Sequence, residues 1–310
     1  MADFTGTREA FAAALSDLAK DDSNVMLVSS DSLKAMRAVA FAEKYPKQYI
    51  EVGIAEQGAV AAAAGMATAG LCPFVATYAG FLTMRACEQM RTFVAYPNLN
   101  VKFIGINSGL IGGEREGVTH QFYEDLGILS SIPNFTIFTP ADAGQTYWAV
   151  KEAYRTPGPV YIRSGSGREP EVYDKKTPFN PKGVTVLKDY GKDAVIFASG
   201  FILDRVLAAA DILKGDGIKA TVADVNILGA ASEAAMLDLM RDAKGVFTVE
   251  DHNVNGGLGA RVCYLACEKM PRKVGRIGLT GFAESGPASE LADHYGFSPA
   301  AIAATVKAGL

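Results

Sequence analysis

The stretch from Gly58 to Met84 contains no charged side chain, and this feature most constrains what the chain can fold into. Its length would allow a helix to cross a lipid bilayer. Most of its residues, however, are Ala and Gly, which are weakly apolar, and Pro73 and the small residues around Gly70 divide it. We therefore predict a buried helix followed by a buried strand, and no membrane span.

Helical and strand patterns alternate along the first half of the chain. Apolar residues at helical spacing predict helices at 7–20, 33–45, 56–69, 83–95 and 143–155. Short apolar runs predict strands at 25–28, 74–76, 101–106, 136–138 and 160–162. Such alternation is typical of an α/β protein with a mostly parallel sheet and helices on both of its faces.

A break in this alternation divides the chain. The segment 165–183 contains three prolines, three glycines and several charges, which is a linker composition. A second alternating unit follows it. We place the first domain at residues 1–168, the linker at 169–188 and the second domain at 189–310. The prediction is two doubly wound α/β domains, each a mostly parallel sheet flanked by helices.

The composition excludes several classes of function. Lys and Arg number 30 against 34 Asp and Glu, so no basic excess points to nucleic acid. The cysteines match neither a CxxC metal site nor a dense disulfide framework, so we expect reduced thiols in a cytoplasmic protein. The N-terminal residues lack the basic-then-apolar order of a signal peptide.

Glu56 lies at the start of the predicted helix 56–69, directly before the uncharged stretch. Most acids at this position simply suit the helix dipole. Here the apolar neighbours leave the carboxyl group poorly solvated, and such a group can hold or share a proton. Glu56 is therefore a candidate for acid–base chemistry.

The sequence around Glu56 resembles a known family. The run 51–57, Glu-Val-Gly-Ile-Ala-Glu-Gln, precedes an Ala- and Gly-rich helix, and Tyr78 and Phe81 follow downstream. This pattern resembles the pyrimidine-binding domain of thiamine-diphosphate enzymes, most closely transketolase, and the resemblance covers essentially the whole chain. It implies that Glu56 hydrogen-bonds to the aminopyrimidine ring of the cofactor, that Tyr78 stacks on this ring and that Phe81 lines its pocket. A helix-capping acid and core aromatics are the simpler alternatives.

Three further residues match the family's site. His120, in the Thr-His-Gln motif 119–121, resembles the residue that contacts the oxygen at the reacting end of a ketose, which implies a catalytic and substrate-binding role. Arg8 matches an arginine that holds a substrate phosphate. Asp31 matches an aspartate near the cofactor between subunits. Each of these could equally be an ordinary surface residue.

The chain also departs from the family's pattern. Family members usually carry a histidine after the strand 101–106, where this chain has Asn107, and the loop before the Thr-His-Gln motif is one residue longer. A second phosphate-binding arginine is expected near Ser166, and the nearest candidates are Arg163 and Arg168. We therefore hypothesise that these residues bind a substrate outside the ordinary pentose phosphate set.

Two glycine-rich motifs lie outside this candidate site. Gly215-Asp216-Gly217 looks like the start of the family's metal motif, but its position between a helix and a strand favours a turn. Glu250, His252 and the glycines from Gly256 onward resemble a segment of the family's C-terminal domain. We expect the second motif to serve packing and an interface, and we predict no metal ligand in this chain.

The resemblance implies a naturally split enzyme, because the sequence opens directly on the pyrimidine-binding domain. A separate N-terminal transketolase subunit would hold the diphosphate of thiamine diphosphate and Mg²⁺ or another divalent ion. Two copies of each subunit would form an α2β2 assembly that acts on a sugar or sugar phosphate. This chain alone should be inactive.

Other functions stay open. The β subunit of 2-oxoacid dehydrogenases has a similar size and also supplies a glutamate to the pyrimidine ring. 1-Deoxy-xylulose-5-phosphate synthase shares both motifs, but it is normally one long chain. A non-catalytic module of the same fold is a further alternative, although it would not require Glu56.

Overall fold

The computed structural model describes residues 4–310, apart from the side chain of Glu114, and contains two β-sheets with helices packed against them. The strands of the first half are β1 (Val25–Ser29), β2 (Tyr49–Glu51), β3 (Cys72–Tyr78), β4 (Lys102–Ile106), β5 (Thr136–Phe138) and β6 (Val160–Arg163). Its α-helices are α1 (Thr7–Asp21), α2 (Val39–Lys44), α3 (Glu56–Thr68), α4 (Cys87–Gln89), α5 (Gly109–Gly113), α6 (Asp125–Ser130) and α7 (Ala143–Arg155).

The second half continues the alternation. Its strands are β7 (Val184–Asp189), β8 (Ala194–Ser199), β9 (Ala220–Val225), β10 (Ile227–Leu228), β11 (Gly245–Asn253) and β12 (Val274–Leu279). Its α-helices are α8 (Leu203–Gly215), α9 (Ala230–Asp242), α10 (Gly257–Lys269), α11 (Ala288–His294) and α12 (Pro299–Gly309). Short 3₁₀ turns lie at Glu114–Glu116 and Gly200–Ile202.

Both sheets are mostly parallel, which confirms the predicted fold class. The first sheet has the strand order β10-β5-β6-β4-β3-β1-β2, and only β10 runs antiparallel to its neighbour. The second has the order β12-β11-β8-β9-β7, with β7 antiparallel at its edge. Because β10 follows the linker yet pairs with β5, the second half of the chain extends the first sheet.

The uncharged stretch folds as a helix and a strand, as predicted. Helix α3 buries Ala59, Val60 and Ala63 in the core, and strand β3 is buried over nearly its whole length. Neighbouring β1 and β4 pair with β3 on either side. Within residues 4–310, no helix combines the length and apolar character needed to cross a membrane.

Three local predictions were inaccurate. The predicted helix 33–45 is reduced to α2, because residues 33–37 form turns and Arg37 adopts a left-handed φ of 57°. The predicted helix 83–95 consists of two π-helical turns, Phe81–Arg85 and Met90–Ala95, which flank α4. The end of the predicted linker forms β7, a half-exposed edge strand.

The carboxyl ends of β1, β3, β4 and β6 lie along one edge of the first sheet, because these strands are parallel and adjacent. Open α/β sheets bind ligands at this edge. Tyr78 ends β3, and the loops after β1, β4 and β6 carry Asp31, Asn107 and the segment 164–168. The fold therefore gathers sequence-distant candidate residues at one edge.

We predict that Gly80 is required for packing at this edge. A Cβ at Gly80, which follows β3, would overlap the ring of Phe122. Gly80→Ala should therefore lower the free energy of unfolding by about 1–3 kcal/mol, measured by urea denaturation. Gly65→Ala is the matched control, since this glycine lies in α3 with open space around it, and it should raise the same quantity by about 0.5–1 kcal/mol. Equal effects of the two substitutions would contradict this account.

Candidate active site

Glu56 is the first residue of α3, and its side chain is only 2% exposed. Its Oε2 atom accepts a hydrogen bond of 2.9 Å from a guanidinium nitrogen of Arg85. Arg85 itself is 46% exposed. A buried carboxylate at a helix N-terminus, with one oxygen held by a cation that reaches solvent, can still offer its second oxygen to a ligand.

Arg85 is a residue of this site that the sequence reasoning missed. Its guanidinium lies 4.2 Å from the centre of the Phe81 ring, an arrangement in which the cation is attracted to the ring face. The sequence contained a usable indication, because Arg85 is the first charged residue after the uncharged stretch and follows Phe81 by four positions. One helical turn of this spacing brings such a pair together.

An aromatic cluster continues from Phe81 to the predicted catalytic histidine. The ring centres of Tyr78 and Phe81 lie 5.3 Å apart. His120 contacts both rings edge-on, at 4.8 Å from Tyr78 and 5.4 Å from Phe81. The structure thus joins Glu56, Arg85, Phe81, Tyr78 and His120 through a continuous series of contacts. Phe122 also contacts Phe81 edge-on, with 5.6 Å between ring centres.

Arg8 and Asn107 form a second group beside this cluster. Arg8 donates hydrogen bonds to the carbonyl oxygens of Gly165 and Ala35, each at 3.1 Å, and to the side-chain oxygen of Asn107. Asn107 is fully buried with a left-handed φ of 56°, which asparagine tolerates better than most residues. Its side-chain nitrogen is buried and has no acceptor among the described residues, which is uncommon for a buried donor.

A cavity of about 120 Å³ opens next to Arg8. Its lining includes three arginines and two acids, namely Arg8, Arg37, Arg168, Glu9 and Glu116, with Ser166 and Gly167 between them. Burial lowers the pKa of Arg8, with a smaller contribution from Arg37, yet an arginine remains protonated at neutral pH. The cavity is therefore suited to the anionic end of a small molecule. Arg37 was missed because only the turn at residues 33–37 brings it here.

Tyr78 connects the aromatic cluster to this cavity. Burial raises the pKa of its hydroxyl, the nearby Arg8 lowers it and Glu116 raises it. Tyr78 is also the register partner of Ile106 in β4, and the next residue, Asn107, is hydrogen-bonded to Arg8. The aromatic cluster thus adjoins the cavity lined by Arg8, Arg37 and Arg168, which we call the arginine cavity. The two are close enough to bind two molecules that react with each other.

Two predicted site residues do not join either group through a direct contact. Asp31 is exposed, and its backbone N–H donates to the carboxylate of Glu51, the last residue of the neighbouring strand β2, at 2.7 Å. Arg163 is buried, and its guanidinium donates to both carboxylate oxygens of Asp125, at 3.0 and 3.1 Å. Arg163 is therefore part of a buried ion pair and not a substrate ligand as predicted, since binding substrate would require breaking that pair.

The side chains of the described part of the chain offer no metal site of their own. There, no group of three or more His, Cys, Asp or Glu side chains is arranged to hold a metal ion. Asp216 ends α8 in a turn that continues through Gly217, whose φ is 82°.

Comparison with known proteins identifies the family. Residues 5–167 match the pyrimidine binding domain of transketolase, and residues 183–302 match its C-terminal domain. The chain belongs to the transketolase family. The resemblance inferred from the sequence motifs is thereby confirmed.

Relatives of similar length are described as separate transketolase sections or subunits. A putative transketolase C-terminal section of Methanocaldococcus jannaschii is 32% identical over 97% of this chain and 95% of its own length. An apulose-4-phosphate transketolase subunit of Actinobacillus succinogenes is 33% identical over 89% of both chains. A 6-deoxy-6-sulfo-D-fructose transketolase subunit of a Clostridium species is 31% identical over 94% of this chain and 90% of its own.

A solved structure gives the same correspondence. It is described as a split gene transketolase in an inactive β4 tetramer, and it superposes with a TM-score of 0.89 at 35% identity over 99% of both chains. The chain also aligns with about half of a 1-deoxy-D-xylulose-5-phosphate synthase of Caldanaerobacter subterraneus, at 32% identity. The prediction of a C-terminal subunit from a split transketolase agrees with the relatives that match along their whole length.

We predict that Arg163 acts on stability. Arg163→Met would leave the buried Asp125 carboxylate without its partner, so the free energy of unfolding should fall by about 3–5 kcal/mol. Arg155→Met is the control, because Arg155 is an exposed residue paired with Glu152 on the surface, and its loss should change stability by less than about 0.5 kcal/mol. Equal denaturation midpoints for the two variants would contradict the assigned role.

Proposed function

We propose that this chain is the C-terminal subunit of a thiamine-diphosphate-dependent transketolase that transfers a two-carbon ketol unit from a ketose to an aldose. The observation that carries the proposal is the contact series from Glu56 through Arg85, Phe81 and Tyr78 to His120 at the carboxyl edge of the first sheet. It combines a buried acid, an aromatic surface and a titratable base in one cluster. Membership of the transketolase family supports the same activity.

The residues present suit the pyrimidine half of the cofactor. A flat, polar heteroaromatic ring requires an aromatic surface and a hydrogen-bonding acid at its rim, and Tyr78, Phe81 and Glu56 supply these. Thiamine diphosphate, when bound, supplies the nucleophilic carbon that carries the ketol unit. Glu56 would hold a proton at a ring nitrogen through Oε1, while Arg85 binds Oε2. Asp31 stays a predicted contact at the neighbouring loop.

His120 would act on the sugar. Its ring lies against Tyr78 and Phe81, and its Nδ1 atom is 3.0 Å from the hydroxyl oxygen of Thr119. A histidine oriented in this way can donate a hydrogen bond or a proton to the oxygen of a ketose carbonyl or hydroxyl. Asn107, with its buried and unpaired side-chain nitrogen, is proposed to bind another substrate oxygen.

The arginine cavity is proposed to hold the anionic end of the substrate. Arg8, Arg37 and Arg168 give it cationic donors, and Glu116 offers an acceptor for a sugar hydroxyl. Two relatives are described as acting on apulose-4-phosphate and on 6-deoxy-6-sulfo-D-fructose, neither of which is an ordinary pentose phosphate. We propose by extension that this chain also serves an anionic ketose outside that set.

A partner chain completes the proposal. We propose that the diphosphate and Mg²⁺ are held by a separate N-terminal transketolase subunit, that the enzyme is an α2β2 assembly and that it works in the cytoplasm. The subunit-type relatives described above support a two-chain enzyme. This chain alone should show no ketol transfer, and the proposed experiments therefore use the assembled complex.

Replacing the proposed cofactor acid should abolish most activity. In the complex with the N-terminal subunit, Glu56→Gln should reduce ketol transfer by about 10²–10⁴-fold, because the amide cannot hold the proton in the same way. Glu268→Gln, at an exposed position on α10, is the control and should leave the rate unchanged. Activity of Glu56→Gln equal to that of the control would refute the role of Glu56. Turnover of a 2-oxoacid without any ketol transfer would instead support the dehydrogenase-like or synthase-like alternative.

We predict that the binding of a negatively charged substrate depends on Arg37. Arg37→Ala should raise KM for a phosphorylated or sulfonated ketose by about 10–100-fold, because one charge-assisted hydrogen bond is lost, with little change in kcat. KM for the same ketose without its phosphate or sulfonate group should be equal in Arg37→Ala and in the wild-type complex. Lys34→Ala, in the same loop but outside the cavity lining, controls for the general loss of positive charge. A clear preference of the wild-type complex for xylulose 5-phosphate would overturn the substrate part of the proposal.

A further inference from the structure

The C-terminal half of the chain supplies none of the proposed site residues, yet it contacts the segment that carries His120 at several points. We define the His120 segment as residues 109–123, from the start of α5 to Tyr123. Its own regular structure is limited to α5 and one 3₁₀ turn, and glycine is frequent within it. Such a segment has little intrinsic rigidity, so its position depends on what it is bound to.

Asp251, in β11, binds the start of this segment. Its fully buried carboxylate accepts hydrogen bonds from the backbone N–H groups of Leu110, at 2.7 Å, and Ile111, at 3.1 Å. These N–H groups belong to the first turn of α5, where they have no acceptor within the helix. Gly109 makes the approach possible, because a Cβ at this position would overlap the Asp251 carboxylate, and its φ of 80° favours glycine.

The loop between β12 and α11 binds the other end of the segment. Three hydrogen bonds join residues 283–285 to it: Ser285 Oγ to the Arg115 carbonyl at 2.7 Å, Gln121 Nε2 to the Glu284 carbonyl at 2.8 Å, and the Ala283 N–H to the Tyr123 hydroxyl at 3.0 Å. In addition, the Asn253 N–H donates to the Tyr123 carbonyl at 2.8 Å. His120 therefore lies between anchoring points on both sides.

The anchor at Asp251 is itself held rigidly. Arg163 donates to the backbone carbonyl of Asp251 at 2.9 Å while its guanidinium also binds Asp125. Close by, Gly127 and Gly256 approach so tightly that a Cβ on Gly256 would lie 2.6 Å from the Gly127 Cα atom. The Arg163 interactions and the close glycine contact together leave β11 little freedom to move relative to the first sheet.

We propose that Asp251 is a positioning residue: its carboxylate caps α5 and, with the 283–285 loop, fixes the His120 segment so that His120 faces the substrate. The C-terminal domain thereby determines the geometry of the His120 segment without touching cofactor or substrate. The catalytic consequence rests on the proposed function of His120, whereas the structural consequence does not.

Two readouts separate these consequences. The first is hydrogen exchange of the His120 segment, measured by mass spectrometry on the full chain with its partner. In Asp251→Ala the amides of Leu110 and Ile111 lose their acceptors, so their exchange should become about 5–10-fold faster. Asp251→Asn keeps one acceptor oxygen and should give an intermediate effect. Asp238→Ala, at an exposed aspartate of α9, is the control and should change nothing in this segment.

The second readout is steady-state kinetics of the same complexes. Asp251→Ala should lower kcat/KM for the ketose by at least about tenfold, since displacing catalytic groups slightly is costly. The apparent Kd for thiamine diphosphate should stay within about twofold of wild type, because Glu56, Tyr78 and Phe81 lie outside the segment. Ser285→Ala, which removes a single exposed anchor, should shift both readouts in the same direction by a smaller amount, and it provides the test if Asp251→Ala fails to fold.

The outcomes discriminate clearly. Unchanged hydrogen exchange of the His120 segment in Asp251→Ala would overturn the positioning role, whatever value kcat/KM takes. If this variant does not fold, unchanged exchange in Ser285→Ala would overturn it. A parallel loss of cofactor affinity and ketol transfer would also overturn it, because it would indicate general unfolding. If exchange is faster in Asp251→Ala but the wild-type complex itself transfers no ketol group, the anchoring role would be supported and the proposed function would be refuted.

Discussion

The buried ion pair of Asp125 and Arg163 joins the parts of the molecule on which the site depends. Both side chains are essentially inaccessible to solvent, and the pair is surrounded by further polar partners, including the Tyr161 hydroxyl at 2.8 Å from Asp125. Burial alone would raise the pKa of Asp125, but the Arg163 guanidinium and its hydrogen bonds bring it below the ordinary value. Such a pair is tolerated only when its hydrogen bonds are satisfied, which fixes the relative positions of α6, β6 and β11.

This fixed junction explains why the candidate site can be built from residues so far apart in sequence. Parallel strands bring the loops after β1, β3, β4 and β6 to one edge, and the helix starts of α1 and α3 add Arg8 and Glu56. Two environments result. The aromatic cluster around Phe81 is suited to a flat ring, and the arginine cavity is suited to an anion. Their proximity through Tyr78 is what makes a two-component reaction physically reasonable here.

The fold could be predicted from the sequence because its determinants are local, and the candidate residues around Glu56 could be named because they lie in short motifs. Alternating apolar periodicity marks most of the strands and helices, and Glu56, Tyr78, Phe81 and His120 all lie in short motifs that do not depend on distant contacts. Short elements such as β2 and β10 were missed, because two or three residues carry no periodicity. The functional roles of the four motif residues stay predictions.

Residues whose roles depend on tertiary packing could not be assigned in this way. Arg163 ends β6 at the edge where a substrate ligand would lie, and only the structure reveals its burial against Asp125. Arg37 reaches the cavity because it adopts a left-handed backbone conformation, and the sequence of residues 33–37 does not predict this turn. Asp251 is one of two adjacent acids at 250–251, and its partners Leu110 and Ile111 are 141 and 140 positions away.

We propose above all that Glu56 activates thiamine diphosphate in a two-chain enzyme. The most direct test is the rate at which the thiazolium C2 proton of added thiamine diphosphate exchanges with D₂O, followed by NMR without any sugar. We predict fast exchange in the complex of both chains, slow exchange when either chain is alone and a loss of at least about 10²-fold in Glu56→Gln. Exchange that is equally fast in the Glu56→Gln complex would contradict it.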